Sequence, residues 1–308
     1  MTASATPIRV GTAGWVYDDW NGIVYPAKPP RGFDRLTLMA SLFDTNEVNS
    51  TFYRIPPAKM TESWVRRVEH NPRFAFTAKL FRGFTHERES GVADRDAFAE
   101  AMQPLAQTGR LGCLLVQFPM AFHNTAENRG HLESTLDRFA GFPLAVEFRH
   151  ASWDDAQVLE LLSGRGAAFV NIDQPRLSAN LPATGHVTAP FAYFRFHGRN
   201  AEKWFGPDTS NEERYNYLYS ERELQPWAGR ILDAARRATD LAATASAKAG
   251  VYAILNNHFR GQAVANALQL QAMMTGETHE VPETLRSTYP VLTTVTRESI
   301  QTSQRRLF

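Results

Sequence analysis

Cys113 is the single cysteine of a 308-residue chain. No intramolecular disulfide and no cysteine-built metal cluster is therefore available to it. Cys113 lies inside the apolar run from Leu111 to Phe118 and reads as a buried, inert thiol. An excess of charge is missing too. The 33 basic residues nearly balance the 32 acidic ones, so no global field draws the protein to nucleic acid or to a membrane, and any such affinity needs a local patch. No window approaches the roughly 18 apolar residues of a membrane span. Residues 1–7 carry no basic region followed by an apolar stretch. These absences predict a soluble protein of the cytoplasm. There is also no HExxH-like spacing of metal ligands. The stretch Gly11 to Gly14 is a poor match to the glycine-rich phosphate loop that opens doubly wound dinucleotide folds.

What is present is alternation. A hydrophobic content of 43% in a chain of this length suits one large core. Short apolar, β-branched or aromatic runs occur at 8–13, 45–50, 74–80, 111–118, 144–149, 167–173, 191–197 and 251–256. Helical periodicity falls between them at 61–69, 94–107, 128–140, 154–163, 225–239 and 261–274. Eight such alternations predict an α/β fold of the TIM type, a (β/α)8 barrel of parallel strands spanning residues 1–276. Residues 277–308 lack clear periodicity and read as a C-terminal extension wrapped on the barrel before a flexible tail. Two connections, 80–94 and 197–222, are long for a barrel and are candidate lids. The second carries Trp204, Tyr215, Tyr217 and Tyr219.

Side chains alternate across a strand, so each barrel strand sends one set inward and the other toward the helices. Phe74, Phe76 and Ala78 oppose Thr77 and Lys79. Leu114, Val116 and Phe118 oppose Gln117, and Val146 and Phe148 oppose Glu147 and Arg149. Val170 and Ile172 oppose Asn171 and Asp173, while Phe194 and Phe196 oppose Tyr193, Arg195 and His197. With Glu47 and Asn49 on the second strand and Asn256 and Asn257 closing the eighth, the strands turn polar where a barrel opens its functional mouth. Apolar residues outward and polar ones inward is the expectation for all of them.

Several ordered motifs resemble a known family. They are Gly11-Thr12-Ala13-Gly14-Trp15-Val16-Tyr17 with Trp20, Gly22 and Tyr25-Pro26; Glu47-Val48-Asn49-Ser50-Thr51-Phe52-Tyr53 with Pro56; and Gln117-Phe118-Pro119. Further on come Glu147-Phe148-Arg149-His150 with Trp153, Arg195-Phe196-His197-Gly198, and Asn256-Asn257-His258. Together, from about Val10 to Ala267, they are similar to the domain-of-unknown-function family 72, also called YecE-like. The resemblance implies a TIM-type barrel and supplies no reaction. Leu255 departs from the phenylalanine of the family pattern, which affects local packing only.

Lys79, Arg149 and Arg195 converging beside His197 suit an anionic group such as phosphate or carboxylate. Glu147, His197 and Glu47 are the acid/base candidates, with Glu147 first. Gln117, Asp173, Asn49, Asn256, Asn257, Trp15 and Tyr53 complete the expected binding set. The loop after the eighth strand, 257–261, opens a helix, and phosphate sites of these barrels commonly lie at such a place. No cofactor is predicted. A divalent metal held by Glu147, Asp173 and His197 is the weaker alternative, because the adjacent arginines oppose it. Another alternative is glycoside hydrolysis, with Glu47 and Glu147 as the carboxylate pair and Trp15, Trp20 and Trp153 as stacking platforms. A third is a non-catalytic anion-binding protein. The closing residues Gln304, Leu307 and Phe308 fit the Q-x-x-L-F peptide that DNA sliding clamps hold in an apolar pocket. The expected partners are thus an anionic small molecule or nucleic acid, with a clamp through the tail.

Overall fold

The computed structural model describes residues 6–204, 211–276 and 278–298. Eight parallel strands close into a barrel in sequence order: β1 Ile8–Ala13, β2 Thr45–Val48, β3 Ala75–Lys79, β4 Leu111–Gln117, β5 Leu144–Glu147, β6 Ala168–Asp173, β7 Phe191–Phe196 and β8 Gly250–Leu255. Pairing of Ile8 through Thr12 with Val251 through Leu255 makes the closure. The chain is thus a TIM-type (β/α)8 barrel, as the alternation predicts. β2 stops at Val48, earlier than expected, because Ser50–Tyr53 turns into one helical turn whose start is Asn49.

Helices cover the outside, and several are begun by residues that satisfy free backbone donors. Asp34 accepts from Thr37 N at 2.7 Å to start Arg35–Leu42. Thr125 caps Ala126–Arg138, and Asp155 caps Ala156–Gly164. In the longest described helix, Glu221–Ala245, the buried positions Leu224, Trp227, Ala228, Ile231, Ala234, Ala235, Ala238 and Ala242 follow one another turn by turn on a single side, which makes one apolar stripe. Trp227 meets Phe194 and Phe196 of β7 edge-on. The alanine-rich stretch after residue 241 continues this helix only to Ala245, after which Ser246 takes a left-handed conformation. Within the C-terminal region the described residues carry short regular elements that the lack of periodicity did not reveal. His279–Val281 pairs in parallel with Thr296–Glu298, and Glu283–Thr288 is helical. Two side-chain bonds fasten this region to the barrel, Thr284 Oγ1 to Ile23 O and Tyr289 Oη to Arg260 O, both 2.7 Å. No helix among the described residues is long and apolar enough to cross a membrane.

The sixth strand departs from the expected facing. Strand neighbours in register share a face, and Val170 and Ile172 pair with the inward Tyr193 and Arg195. Asn171 and Asp173 therefore point outward. The cause is the next segment of the chain: between β6 and β7 no helix forms, and residues 174–190 run back along the strand as irregular chain. Such chain needs partners for its backbone. Asn171 supplies them, accepting from Thr184 Oγ1 and His186 N and donating to His186 O at 2.7–2.9 Å. The same segment holds the backbone of Arg149 through Leu181 N and Gln174 Nε2. Asn171→Ala is expected to cost about 1–3 kcal/mol and to speed amide exchange across 174–190 before the rest of the barrel. Unchanged exchange there would show that the segment stands without Asn171.

Candidate functional site

The inner face of the barrel is charged at its upper end, and depth sorts its residues. Consecutive inward positions on one strand lie about 6–7 Å apart along it. Glu47 and Glu147 sit one such step below Lys79 and Arg149, which form the next layer up. Both carboxylates are fully buried.

Arg195, from β7, lies between them. Its Nε and Nη2 bond Glu47, the shortest contact being Nη2 to Oε1 at 2.7 Å, and its Nη1 reaches Glu147 Oε2 at 3.0 Å. Tyr193 donates to Glu47 Oε2 at 2.7 Å and meets Thr77 Oγ1 at 2.9 Å. Glu147 also takes Arg149 Nε at 2.6 Å. The result is a cross-barrel clamp tying β7 to β2 and β5. Burial alone would raise the Glu147 carboxyl, but Arg149 and Arg195 outweigh it and hold it well below the usual carboxylate range. Burial works against the Arg195 charge, and Glu47 and Glu147 reverse that, holding it firmly protonated.

His197, one inward position beyond Arg195, is fully buried and reaches the same carboxylate, Glu147. Asn256 Nδ2 is 3.0 Å from its Nδ1, and its Nε2 is 3.4 Å from Glu147 Oε1. Burial, then Arg149, push its pKa down to about 3, so the ring is neutral across the ordinary pH range. With Asn256 donating to Nδ1, the ring proton belongs on Nε2, facing Glu147.

Above this floor opens a cleft of about 440 Å³, within the range of small-molecule sites. Of the residues expected from sequence it brings together Trp15, Asn49, Tyr53, Lys79, Gln117, Arg149, Arg195 and Asn256. Glu47, Glu147 and His197 lie beneath it and are absent from its wall. Asp173 and Asn257 are elsewhere. Asp173 faces outward and pairs with Arg199 at 2.8 Å, and burial keeps its carboxyl above the usual range despite that pairing. Asn257 donates to Tyr217 O and to Asn266 Oδ1, both at 2.8 Å, bracing the loop behind β8. With Asp173 outside the barrel, the three ligands of the metal alternative do not converge. Among the described residues no cluster of three or more His, Cys, Asp or Glu could hold a metal.

Gly14, Val16, Tyr17, Ser50, Tyr215 and His258 also line the cleft. Tyr17 stacks on His258 at 4.5 Å, and Tyr215 tilts over the same imidazole at 5.0 Å. Burial brings the His258 pKa down to about 4. Tyr17 and His258 stand inside the quoted motifs, so their place was readable there. Tyr215 carried only the signal of an aromatic in a long loop. That loop's other tyrosines brace the fold: Tyr219 Oη takes Gly198 N at 2.9 Å, and Tyr217 Oη meets Glu223. Val16 and Tyr53 are about two-thirds exposed and form an apolar rim. Trp153 is no platform, since it is fully buried between Phe148 at 4.3 Å and Phe122 at 5.1 Å. Trp20 is buried as well, its indole bonded to His258 O. Gln304, Leu307 and Phe308 lie outside the described residues.

A parallel eight-stranded barrel with a polar, cation-rich cleft at the C-terminal strand ends is the class that fold and site define. The model of the family described as "Protein of unknown function DUF72" matches residues 9–290, and the chain belongs to that family. It is 28% identical over 282 residues to the UPF0759 protein YunF of Bacillus subtilis, covering 87% of this chain and 94% of that one. Among solved structures, a DUF72 family protein from Thermotoga maritima is 35% identical with a TM-score of 0.74, covering 87% of this chain and 99% of its own. A DUF72 family protein from Enterococcus faecalis is 28% identical with a TM-score of 0.73, covering 87% and 95%.

Proposed function

We propose that the barrel mouth binds a small compound bearing a phosphate or carboxylate group, with Lys79 and Arg149 as its principal contacts. The carrying observation is the charge balance within the clamp. Three cations meet two carboxylates, and Arg195 occupies both carboxylates. Arg149 touches Glu147 through Nε, and among the described residues its terminal nitrogens make no hydrogen bond. Lys79 has no ion pair among the described residues and sits instead over the Phe52 ring at 3.8 Å. Positive charge is therefore in surplus at the cleft wall, where an incoming anion meets it with little water to screen it. Asn49, Gln117 and Asn256 add polar groups, and Tyr53 and Val16 offer apolar contact at the rim. The glycosidase reading calls for Glu47 and Glu147 facing each other across an open cleft. Here a guanidinium lies between them and neither reaches the wall, so their role is to set the charge and position of Arg195.

Burial, followed by the Arg195 charge, lowers the Lys79 pKa to about 7. Anion affinity should thus be highest below neutral pH and fall as pH rises through about 7, when the ammonium is lost. A bound anion favours the charged amine, so binding near pH 7 takes up protons. Calorimetric titration with sulfate, whose charge is constant over this range, in buffers of different ionisation enthalpy checks both signs. Inorganic phosphate, sugar phosphates, mononucleotides and short oligonucleotides, where a second phosphate ionisation falls at about pH 6–7, rank the ligands at one pH. Lys79→Met should weaken phosphate binding about tenfold and erase the proton uptake. Binding that is indifferent to pH and to Lys79 would sink the reading. Tight binding of oligonucleotides but not mononucleotides would extend the ligand beyond the cleft onto nucleic acid.

A further inference from the structure

We propose that Lys79 is a nucleophilic amine, forming an imine with the carbonyl group of a small aldehyde or ketone whose phosphate or carboxylate is held by Arg149. The inference rests on the anion reading of the same cleft and names its substrate class.

The placement carries it. Lys79 ends β3 on the inward face, at the wall of the cleft and one step above the carboxylate layer. A lysine that only balanced charge would sit against a carboxylate. Here both nearby carboxylates are engaged by guanidinium groups, and the ammonium position is backed by an aromatic ring. The groups facing it are Arg195 from β7, Glu147 from β5 and Arg149 just beyond its end, Glu47 from β2, and His86 from the turn after β3, whose ring also meets Phe52 at 4.9 Å. Desolvation and adjacent cations are the two devices that free an amine lone pair at neutral pH, and both act here. They bring Lys79 to about 7 and leave His86, at about 4, uncharged.

Residue choice points the same way. All but five of the 33 basic residues are arginine, and arginine serves better wherever a fixed cation binds an anion. An amine can do what a guanidinium cannot, which is to lose its proton and attack carbon. The other four lysines, Lys28, Lys59, Lys203 and Lys248, are all exposed.

The step balances without further reagents. The Nζ lone pair adds to the carbonyl carbon. The carbonyl oxygen collects one proton from the amine and one from solvent and leaves as water, and the iminium keeps one N–H. Its positive charge then sits beside the anion that Arg149 holds, making an electron sink for bond cleavage or proton loss at the neighbouring carbon.

Pyridoxal 5′-phosphate, a phosphate-bearing aldehyde, is the probe, with uncharged pyridoxal as its partner. The full-length protein is treated with each, reduced with borohydride, and mapped by peptide mass spectrometry. Inorganic phosphate binding is measured separately without reductant. The expected result is one reduced adduct on Lys79, at least tenfold above any exposed lysine and suppressed by excess phosphate. Its rate should level off above about pH 7 while labelling of the exposed lysines keeps climbing. Arg149→Gln should slow the phosphate-bearing probe at least fivefold more than the neutral one. Phosphate binding with labels spread over the exposed lysines would overturn the imine and leave the anion reading standing. Selective labelling of Lys79 by pyridoxal without phosphate binding would do the reverse. Neither binding nor a Lys79 adduct would remove both.

Discussion

Arg195→Met is expected to cost the fold about 3–5 kcal/mol, the amount usually lost when one member of a buried ionic network is removed. Urea denaturation at neutral pH reads it directly. The reason is that Glu47 and Glu147 are both fully buried, and without the guanidinium Glu47 is left with no cation, only the Tyr193 hydroxyl, while Glu147 keeps Arg149 alone as its cation. The loss should shrink as pH falls and the abandoned carboxylates take up protons. A triple variant, Glu47→Gln, Glu147→Gln and Arg195→Met, should regain much of the stability, because neutral amides need no counter-ion. A loss below about 1 kcal/mol for Arg195→Met would mean that the clamp is not structural, and its carboxylates would return to consideration as reacting groups.

The double variant Lys79→Met/Arg149→Gln should bind inorganic phosphate at least a hundredfold more weakly than the wild type, about 2.7 kcal/mol, while unfolding within about 1 kcal/mol of it. Affinity and stability separate here because the two layers are separate. Lys79 has no carboxylate to abandon among the described residues, and Glu147 keeps Arg195 and His197 when Arg149 is replaced. Calorimetry for binding and a thermal melt for folding check both halves. Intact phosphate affinity in a folded double variant would show that the anion does not sit on these two side chains.

The barrel was legible because all eight strands are short apolar runs and six of them are succeeded by a helical period. The helix Arg35–Leu42 after β1 was not read from sequence, and none forms between β6 and β7. Facing was legible only where a helix covers the strand. On β7 the outward Phe194 and Phe196 pack under Trp227, so the apolar set is the outward set. On β6 the covering element is irregular chain that needs hydrogen bonds, so polarity reverses and Asn171 and Asp173 go outside. Alternation gives the same pattern in both cases, and the sign of the face depends on a covering segment that lies many residues further along the chain. The depth of the acidic residues was hidden for a similar reason. Sequence places Glu47, Glu147 and Arg195 on inner faces but not at one level, and only the strand registers bring Arg195 onto both carboxylates. Tyr215 entered the cleft through a loop whose path no local rule specifies.

The clamp also fixes an order of events in assembly. Arg195 and Glu47 are separated by 148 positions along the chain, and Arg195 and Glu147 by 48. A growing polypeptide therefore makes both acidic strands well before the residue that bridges them. Until β7 arrives, burying Glu47 or Glu147 is costly, so the partial sheet stays open and wet on its concave side. Such distant contacts form late, after the entropy of closing a long loop has been met. The lock thus waits for β7, and after it only β8 remains to pair with β1 and close the ring.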